Sequence, residues 1–335
     1  MIKNSEIAGE LKGMEVAVTG ATGFIGTHLV ERLISLGARV EILTRDPQRV
    51  PGSWTGRVTV TRGDISGSMG SFGRAARIVF HLAGEIRQRG RFRETNVKGT
   101  QAVLKECARG QIRRFVYLSS VGVMGIEKPG VFDEASPCAP RDDYERSKLE
   151  AETMVLEAGR GKNLPVSVLR PSIVYGPGIP PERDSFLSLI RSINSGYFRY
   201  IGSRKGVYNI VYVGDVVEAL LYLAVRSAAG ENRKFIINDP MEWGSFAAYV
   251  RSLLHRDRKT GTIPAVPAFC LALGCELGGF FGVKLPFSIK RFKALTSRTV
   301  FSPEKIKKEL GFEFAFGNHE GIKETIGCYR RQGTI

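Results

Sequence analysis

The sequence predicts an α/β protein built on a doubly wound parallel sheet of about seven strands, with a smaller, mainly helical region toward the C-terminus. Three observations predict it. The apolar run Glu15–Thr19 leads through Gly20, Gly23 and Gly26 into a pattern of helical period. Residues 39–43 and 114–118 form further short apolar runs that read as buried parallel strands. A length of 335 residues, 43% of them hydrophobic, exceeds one such sheet with its helices and suffices for a second core.

The glycines lie on the turn between the first strand and its helix. Gly20 permits the tight turn, Gly23 brings backbone close to a phosphate, and Gly26 lets helix and strand pack. Phe24, Ile25, Leu29, Val30, Leu33 and Ile34 recur at helical spacing and stop at Gly37, a C-terminal cap. With Thr22, these residues form a pyrophosphate cradle of the Rossmann type, where free helix N–H groups meet the anion. The second strand ends in Thr44-Arg45-Asp46, with Arg49 beyond. An acidic residue there suits the ribose hydroxyls of NAD, and a cation suits a 2′-phosphate. Arg45 therefore favours NADP over NAD, with Asp46 as the counterargument.

The strand 114–118 ends in Ser119-Ser120, at the edge of the sheet where ligands bind. Asp142 to Glu145 has capping-box spacing and opens a helix. Tyr144 and Lys148 then share one face. A free phenol has a pKa of about 10. An ammonium about 4 Å away, at an effective dielectric of about 20, favours the phenolate by about 4 kcal/mol. That is worth roughly three pKa units and yields a proton donor and acceptor near neutral pH. Ser120 would bind the same substrate oxygen. A chance Tyr-x-x-x-Lys is common, so the motif gains meaning only from the Ser-Ser pair before it.

These residues together resemble the extended short-chain dehydrogenase/reductases, the NAD-dependent epimerase/dehydratase family, over essentially the whole chain. Gly63-Asp64-Ile65 resembles that family's adenine-contacting segment, and His81-Leu82-Ala83-Gly84 its turn beside the cofactor. Asn96 in Asn96-Val97-Lys98-Gly99-Thr100 resembles its structural and proton-relay asparagine. Arg170-Pro171-Ser172-Ile173-Val174-Tyr175-Gly176 resembles the strand that passes the nicotinamide. The resemblance implies catalytic Ser120, Tyr144, Lys148 and Asn96, with Ser120 chosen because Gly125 follows it by five. It implies that Gly20, Thr22, Gly23, Phe24, Ile25, Gly26, Arg45, Asp64, Ile65, Leu82, Ala83, Gly84, Ser119, Tyr144, Lys148, Pro171 and Ile173 hold the cofactor. A homodimer through the helices near Lys98 and Tyr144 is the family habit.

Within the family, Val121-Gly122 replaces the Asp-Glu pair of water-eliminating enzymes. Ile173 and Tyr208 replace an Asn and an Arg common in nucleotide-sugar epimerases. Asn209-Ile210-Val211-Tyr212-Val213-Gly214-Asp215 is similar to the dihydroflavonol-reductase and 3β-hydroxysteroid-dehydrogenase-like branch. The favoured expectation is hydride transfer between a nicotinamide and a ketone or secondary alcohol. A nucleotide-sugar epimerase or reductase is the alternative, with Arg183, Arg191, Arg199 or Arg204 as a substitute diphosphate clamp. A non-catalytic NADP-binding sensor or scaffold is a third, opposed by the intact Ser, Tyr and Lys.

The remaining expectations are coarser. A dinucleotide-binding domain spans 14–178 with 206–239, and a substrate region spans 179–205 with 240–332. The first thirteen residues lack an apolar core and do not read as a signal peptide. Five scattered cysteines fit a reducing cytoplasm, and four dispersed histidines suggest no metal site. The net charge of +16 favours an anionic ligand or surface, and no nucleic-acid module accompanies it. The substrate is anionic or apolar. The apolar stretch 266–283 reads as a helix pair in the substrate region. A membrane-touching surface aided by Lys284, Lys290, Arg291 and Lys293 is the less favoured reading. Ser302, Pro303 and Gly311 bracket a terminal helix.

Overall fold

The computed structural model describes residues 4–162, 164–226, 233–256, 260–280 and 288–335. Among them are the strands β1 (Glu15–Thr19), β2 (Arg39–Thr44), β3 (Val58–Arg62), β4 (Ile78–His81), β5 (Arg114–Leu118), β6 (Val166–Pro171) and β7 (Arg233–Ile237). They form one parallel seven-stranded sheet in the order β7-β6-β5-β4-β1-β2-β3. The chain winds outward in both directions from β1 and β4, so a crevice opens above their C-terminal ends. Central strands covered on both faces carry continuous apolar runs: β4 and β6 are buried at every residue.

Helices α1 (Asn4–Leu11), α2 (Phe24–Ser35) and α6 (Val213–Arg226) cover one face, and α3 (Gly99–Cys107) and α4 (Asp143–Lys162) the other. In α2, Leu29, Val30 and Leu33 are buried, and Gly37 ends the helix with φ +76°. The segment expected to lack an apolar core folds as α1. Ile7 and Leu11, one turn apart, are 1% and 0% exposed against the sheet layer. Two apolar residues escape a composition reading yet suffice to dock a short helix.

A second apolar core joins α5 (Ser185–Asn194), α7 (Trp243–Leu253) and α11 (Gly317–Arg331) around Phe186, Ile190, Tyr212, Trp243, Phe246 and Ile322. Asp184 caps α5 through Phe186 N and Leu187 N and also accepts from the Tyr329 hydroxyl. Asp215 accepts from Phe316 N and Gly317 N, both at 3.0 Å, and fixes α11 to α6. Burial pushes this carboxyl up to about 6, against those two N–H bonds.

The stretch 266–283 begins in α8 (Ala265–Phe280), which packs on α9 (Ile289–Thr296) through Phe269 and Phe292. Residues 281–283 and Lys284 lie outside the described residues. The terminal helix α10 (Glu304–Leu310) ends at Gly311 with φ +65°, as its sequence predicts. It begins after Pro303, not with it, and Ser302 Oγ accepts from Glu304 N.

Candidate functional site

Two adjoining cavities, of about 360 and 740 Å³, run along the C-terminal ends of the strands and share Gly20, Thr22, Gly23, Arg49, Leu82 and Gly84. The smaller is also lined by Arg45, Asp46, Asp64, Ile65 and Ala83. The larger is also lined by Phe24, Ile25, Gly26, Ser119, Ser120, Tyr144, Lys148 and Pro171. The glycine turn between them is steric in origin. Gly20 has φ +72°, and a Cβ there would sit 2.6 Å from Ala83 N. A Cβ on Gly26 would sit 2.1 Å from Gly20 O. An elongated cleft over a helix N-terminus, with backbone bare where phosphates approach, fits a dinucleotide. Gly26→Ala is therefore expected to part α2 from β1. The cost is about 1–3 kcal/mol of stability, with loss of dinucleotide binding, read by urea melts and fluorescence titration.

At the adenosine end, Arg45 faces Asp64 at 3.9 Å, and both stay substantially exposed. Asp46 lines the smaller cavity, and its Oδ1 caps the next turn by accepting from Gln48 N at 3.0 Å. Arg45, within reach of Asp64, and Arg49, which lines both cavities, are the cations this end presents to a ligand.

At the other end, α4 carries Tyr144 and Lys148 on one face. Asp142 Oδ1 accepts from Glu145 N at 2.9 Å, which is one arm of the expected capping box. The return arm is diverted, because Glu145 accepts from Arg141 N instead. The Ser120 hydroxyl stands beside the Tyr144 phenol on the cavity wall and favours its ionised form. Ser120 Oγ also accepts from Gly122 N at 3.1 Å, so its proton is free to be donated. Phe92 meets the Tyr144 ring edge-on at 5.8 Å and fixes its tilt.

The electrostatics differ from the sequence expectation. Burial, then Asp142, pushes the Tyr144 phenol up to about 12, while the Ser120 hydroxyl works the other way. Lys148 Nζ donates to Leu118 O at 2.7 Å and lies 4.3 Å from the centre of the Tyr117 ring. Burial pulls this amine down to about 7, with Glu152 opposing. The lysine does not depress the phenol here, because desolvation disfavours the charged form of each group. The Tyr144 side chain is therefore neutral at physiological pH, the state of a proton donor.

Asn96 sits behind the cavity walls. It is 1% exposed and lines neither cavity. Its Oδ1 accepts from Glu85 N at 2.7 Å, and its Nδ2 donates to Glu85 O and to Ser147 Oγ. It lies on a π-helical turn, Arg93–Lys98, and clamps the turn after β4 to α4. This clamp is the structural part of the role expected of it.

Sequence reasoning missed a buried ionic cluster behind the lysine. Glu152 and Arg170 pair by two bonds at 2% and 1% exposure, and Ser119 Oγ donates to Glu152 at 2.7 Å. Two signals announced it: Glu152 continues the 144–148 face by one turn, and Arg170 interrupts an apolar central strand. His81 is also buried, with Nδ1 2.6 Å from Thr19 Oγ1 and Nε2 2.9 Å from Thr100 Oγ1. Burial, then Lys148, pulls it down to about 3, so it stays neutral.

A third cavity of about 550 Å³ adjoins the larger one through Ser172 and is walled by Val121, Ile126, Ile173, Val207, Tyr208 and Phe301. Ile173 lines this cavity and not the cofactor cleft, a correction to its expected role. Successive side chains of the short strand Ile173–Tyr175 point to opposite faces, so Val174 takes the cleft side. Of the four arginines expected as a diphosphate clamp, Arg183 lines the larger cavity. Arg191 is held by Thr334 O, Arg199 by Gly196 O and Phe198 O, and Arg204 lies over the Tyr200 ring.

Fold, glycine turn and cleft define a dinucleotide-binding α/β enzyme. The model of the NAD dependent epimerase/dehydratase family matches residues 16–238, and the chain belongs to that family. It is 28% identical to 3beta-hydroxysteroid-dehydrogenase/decarboxylase isoform 1 of Arabidopsis thaliana, over 93% of this chain and 79% of the relative. It is also 28% identical to UDP-glucose 4-epimerase of Vibrio cholerae, over 94% of this chain and 95% of the relative. Among solved structures, MoeE5 in complex with UDP-glucuronic acid and NAD is 28% identical, with a TM-score of 0.72 over 95% of this chain and 99% of that one. The protein is an NAD-dependent oxidoreductase or epimerase.

Proposed function

We propose that the protein interconverts a ketone and a secondary alcohol on an apolar substrate, preferring NADP, with Ser120, Tyr144 and Lys148 as its catalytic residues. The observation that carries this reading is the Ser120–Tyr144 pair on the wall of the cleft, one residue (Val121) from a cavity whose apolar wall of Ile126, Ile173, Val207 and Phe301 faces the charged Glu127, Arg141, Asp142, Glu276 and Lys293. The nicotinamide, when bound, supplies or accepts the hydride. Ser120 holds the substrate oxygen by hydrogen bond, and Tyr144 gives it a proton as the alcohol forms. Lys148 has its amine beside Leu118 O at the cleft floor, where it would help hold the cofactor and, once protonated, would favour the phenolate. The second core, 179–205 with 240–332, forms the substrate region. The protein acts as a homodimer in the cytoplasm.

Ile173 and Tyr208 support the apolar reading, since both line the third cavity where a nucleotide-sugar enzyme would present an Asn and an Arg. The nicotinamide absorbance decides the matter. A ketone reductase consumes NADPH in step with ketone, whereas an epimerase converts its sugar with no net change. Arg183 on the larger cavity favours the UDP-sugar reading, and turnover of UDP-glucose without NADPH loss would establish it in place of ours. Arg45→Ser is expected to weaken NADP binding about tenfold and leave NAD binding nearly unchanged, by loss of one charge-assisted contact. Equal losses for the two cofactors would remove Arg45 from the specificity role.

A further inference from the structure

Helix α8 has an unusual surface. Between Ala265 and Glu276 it buries only Ala268 and Ala272, one turn apart, at 2% and 0% exposure. On the opposite face stand Val266, Phe269, Cys270 and Leu273, the spacing of a single helical stripe. Val266, Phe269 and Leu273 are 73%, 42% and 43% exposed, and Leu271 on the flank is 59% exposed. With Ile263, these are five of the eleven exposed large hydrophobic residues among the described residues. Such clustering marks an interaction surface, because scattered apolar residues are ordinary and a contiguous stripe is not.

Its surroundings are cationic. Helix α9, packed on α8 through Phe292, carries Arg291 and Lys293, the latter paired with Glu127 at 2.9 Å. Exposed Arg204 and Lys205 follow Gly202, whose turn touches Ala265 at the start of α8. The acid in α8, Glu276, accepts from Ile289 N and so faces α9. An apolar stripe rimmed by cations complements a layer of anionic headgroups above hydrocarbon. Sixteen residues fall short of the roughly 20 that a spanning helix needs. No helix among the described residues is long and apolar enough to cross a membrane. The geometry is that of a helix lying in the interface.

We propose that α8 and α9 dock the protein on the surface of a bilayer containing anionic lipid, with Val266, Phe269 and Leu273 inserted among the acyl chains. Glu276, Ile289, Lys293 and Ala294 also wall the third cavity. A membrane-dissolved substrate therefore enters beside the docked face. That use rests on the redox reading above, whereas the docking rests on the surface alone.

Flotation of the whole protein with phosphatidylcholine vesicles, with and without phosphatidylglycerol, tests it. The protein is expected to float with the anionic vesicles and to be released by high salt. Val266→Ser/Leu273→Ser is expected to lower the bound fraction at least about tenfold, because two apolar groups leave the interface. Its melting temperature and dinucleotide binding stay at wild-type values, which shows the variant to be folded. Wild-type protein that stays below the anionic vesicles overturns the proposal, as does a double variant that floats equally well. Light scattering covers the remaining occupant: self-association lost in the double variant, without flotation of the wild type, makes the stripe a contact between copies and refutes docking. Flotation without any NADPH oxidation leaves the docking intact and removes the redox reading alone.

Discussion

Tyr144→Phe is expected to lower turnover at least about a hundredfold, the usual scale for loss of a positioned acid/base. The substitution deletes one oxygen and retains the ring, so the edge-on contact with Phe92 and the packing of α4 persist. Dinucleotide affinity and melting temperature should stay near wild type, which separates loss of chemistry from loss of structure. The pH dependence follows from the direction of the shift. With the phenol pushed up to about 12, its neutral form fills the neutral range, so ketone reduction has its donor in place. Alcohol oxidation needs the phenolate, so its kcat/KM should climb about tenfold per pH unit until the phenol of the free enzyme titrates. Near-wild-type turnover in Tyr144→Phe, or a flat oxidation profile, would take the proton-transfer role from this residue.

Glu152→Gln is expected to cost about 3–5 kcal/mol of folding stability, the scale on which a buried pair fails when one partner is removed. The cost arises because Arg170, 1% exposed, is left as a charge with no counterion inside the sheet layer. Replacing both partners together, Glu152→Leu with Arg170→Met, should recover most of it, because apolar residues carry no desolvation penalty. Urea denaturation of the three proteins measures this, and a single variant within 1 kcal/mol of wild type, roughly, would show the pair to be dispensable. The variant also reaches Lys148, whose ammonium Glu152 favours. The folded lysine already lies below its ordinary value near 10.5, at about 7. The unfolded chain therefore binds the extra proton between those values, and this group's contribution to stability falls as pH drops through that window. Without Glu152 the window should widen toward lower pH.

Much of the fold was legible because its signals are local. The residues of β1 and β5 read directly as strands, since a strand covered by helices on both faces must be apolar throughout. Gly20, Gly37 and Gly311 announced their turns because each adopts a positive φ that other residues resist. Helix α1 was not legible, since two apolar residues separated by one turn signify nothing until a groove receives them. In the site, Tyr144 and Lys148 could be paired from spacing alone, because one helical turn brings them together. Ser120 and Arg170 come from other segments, and their approach is not a matter of spacing.

What the sequence by itself determined is the class of machine: a parallel sheet, a glycine turn able to take a pyrophosphate, and a phenol and an amine on one helix face. These follow from periodicity and steric limits that act over a few residues. The tertiary structure alone decided the charge states, because desolvation depends on everything packed around a group. It turned the expected low phenol pKa into a high one, turned Ile173 toward the third cavity and left Asn96 as a clamp. It alone shows α8 burying two alanines and exposing its apolar stripe, since exposure is a property of neighbours and not of residue type.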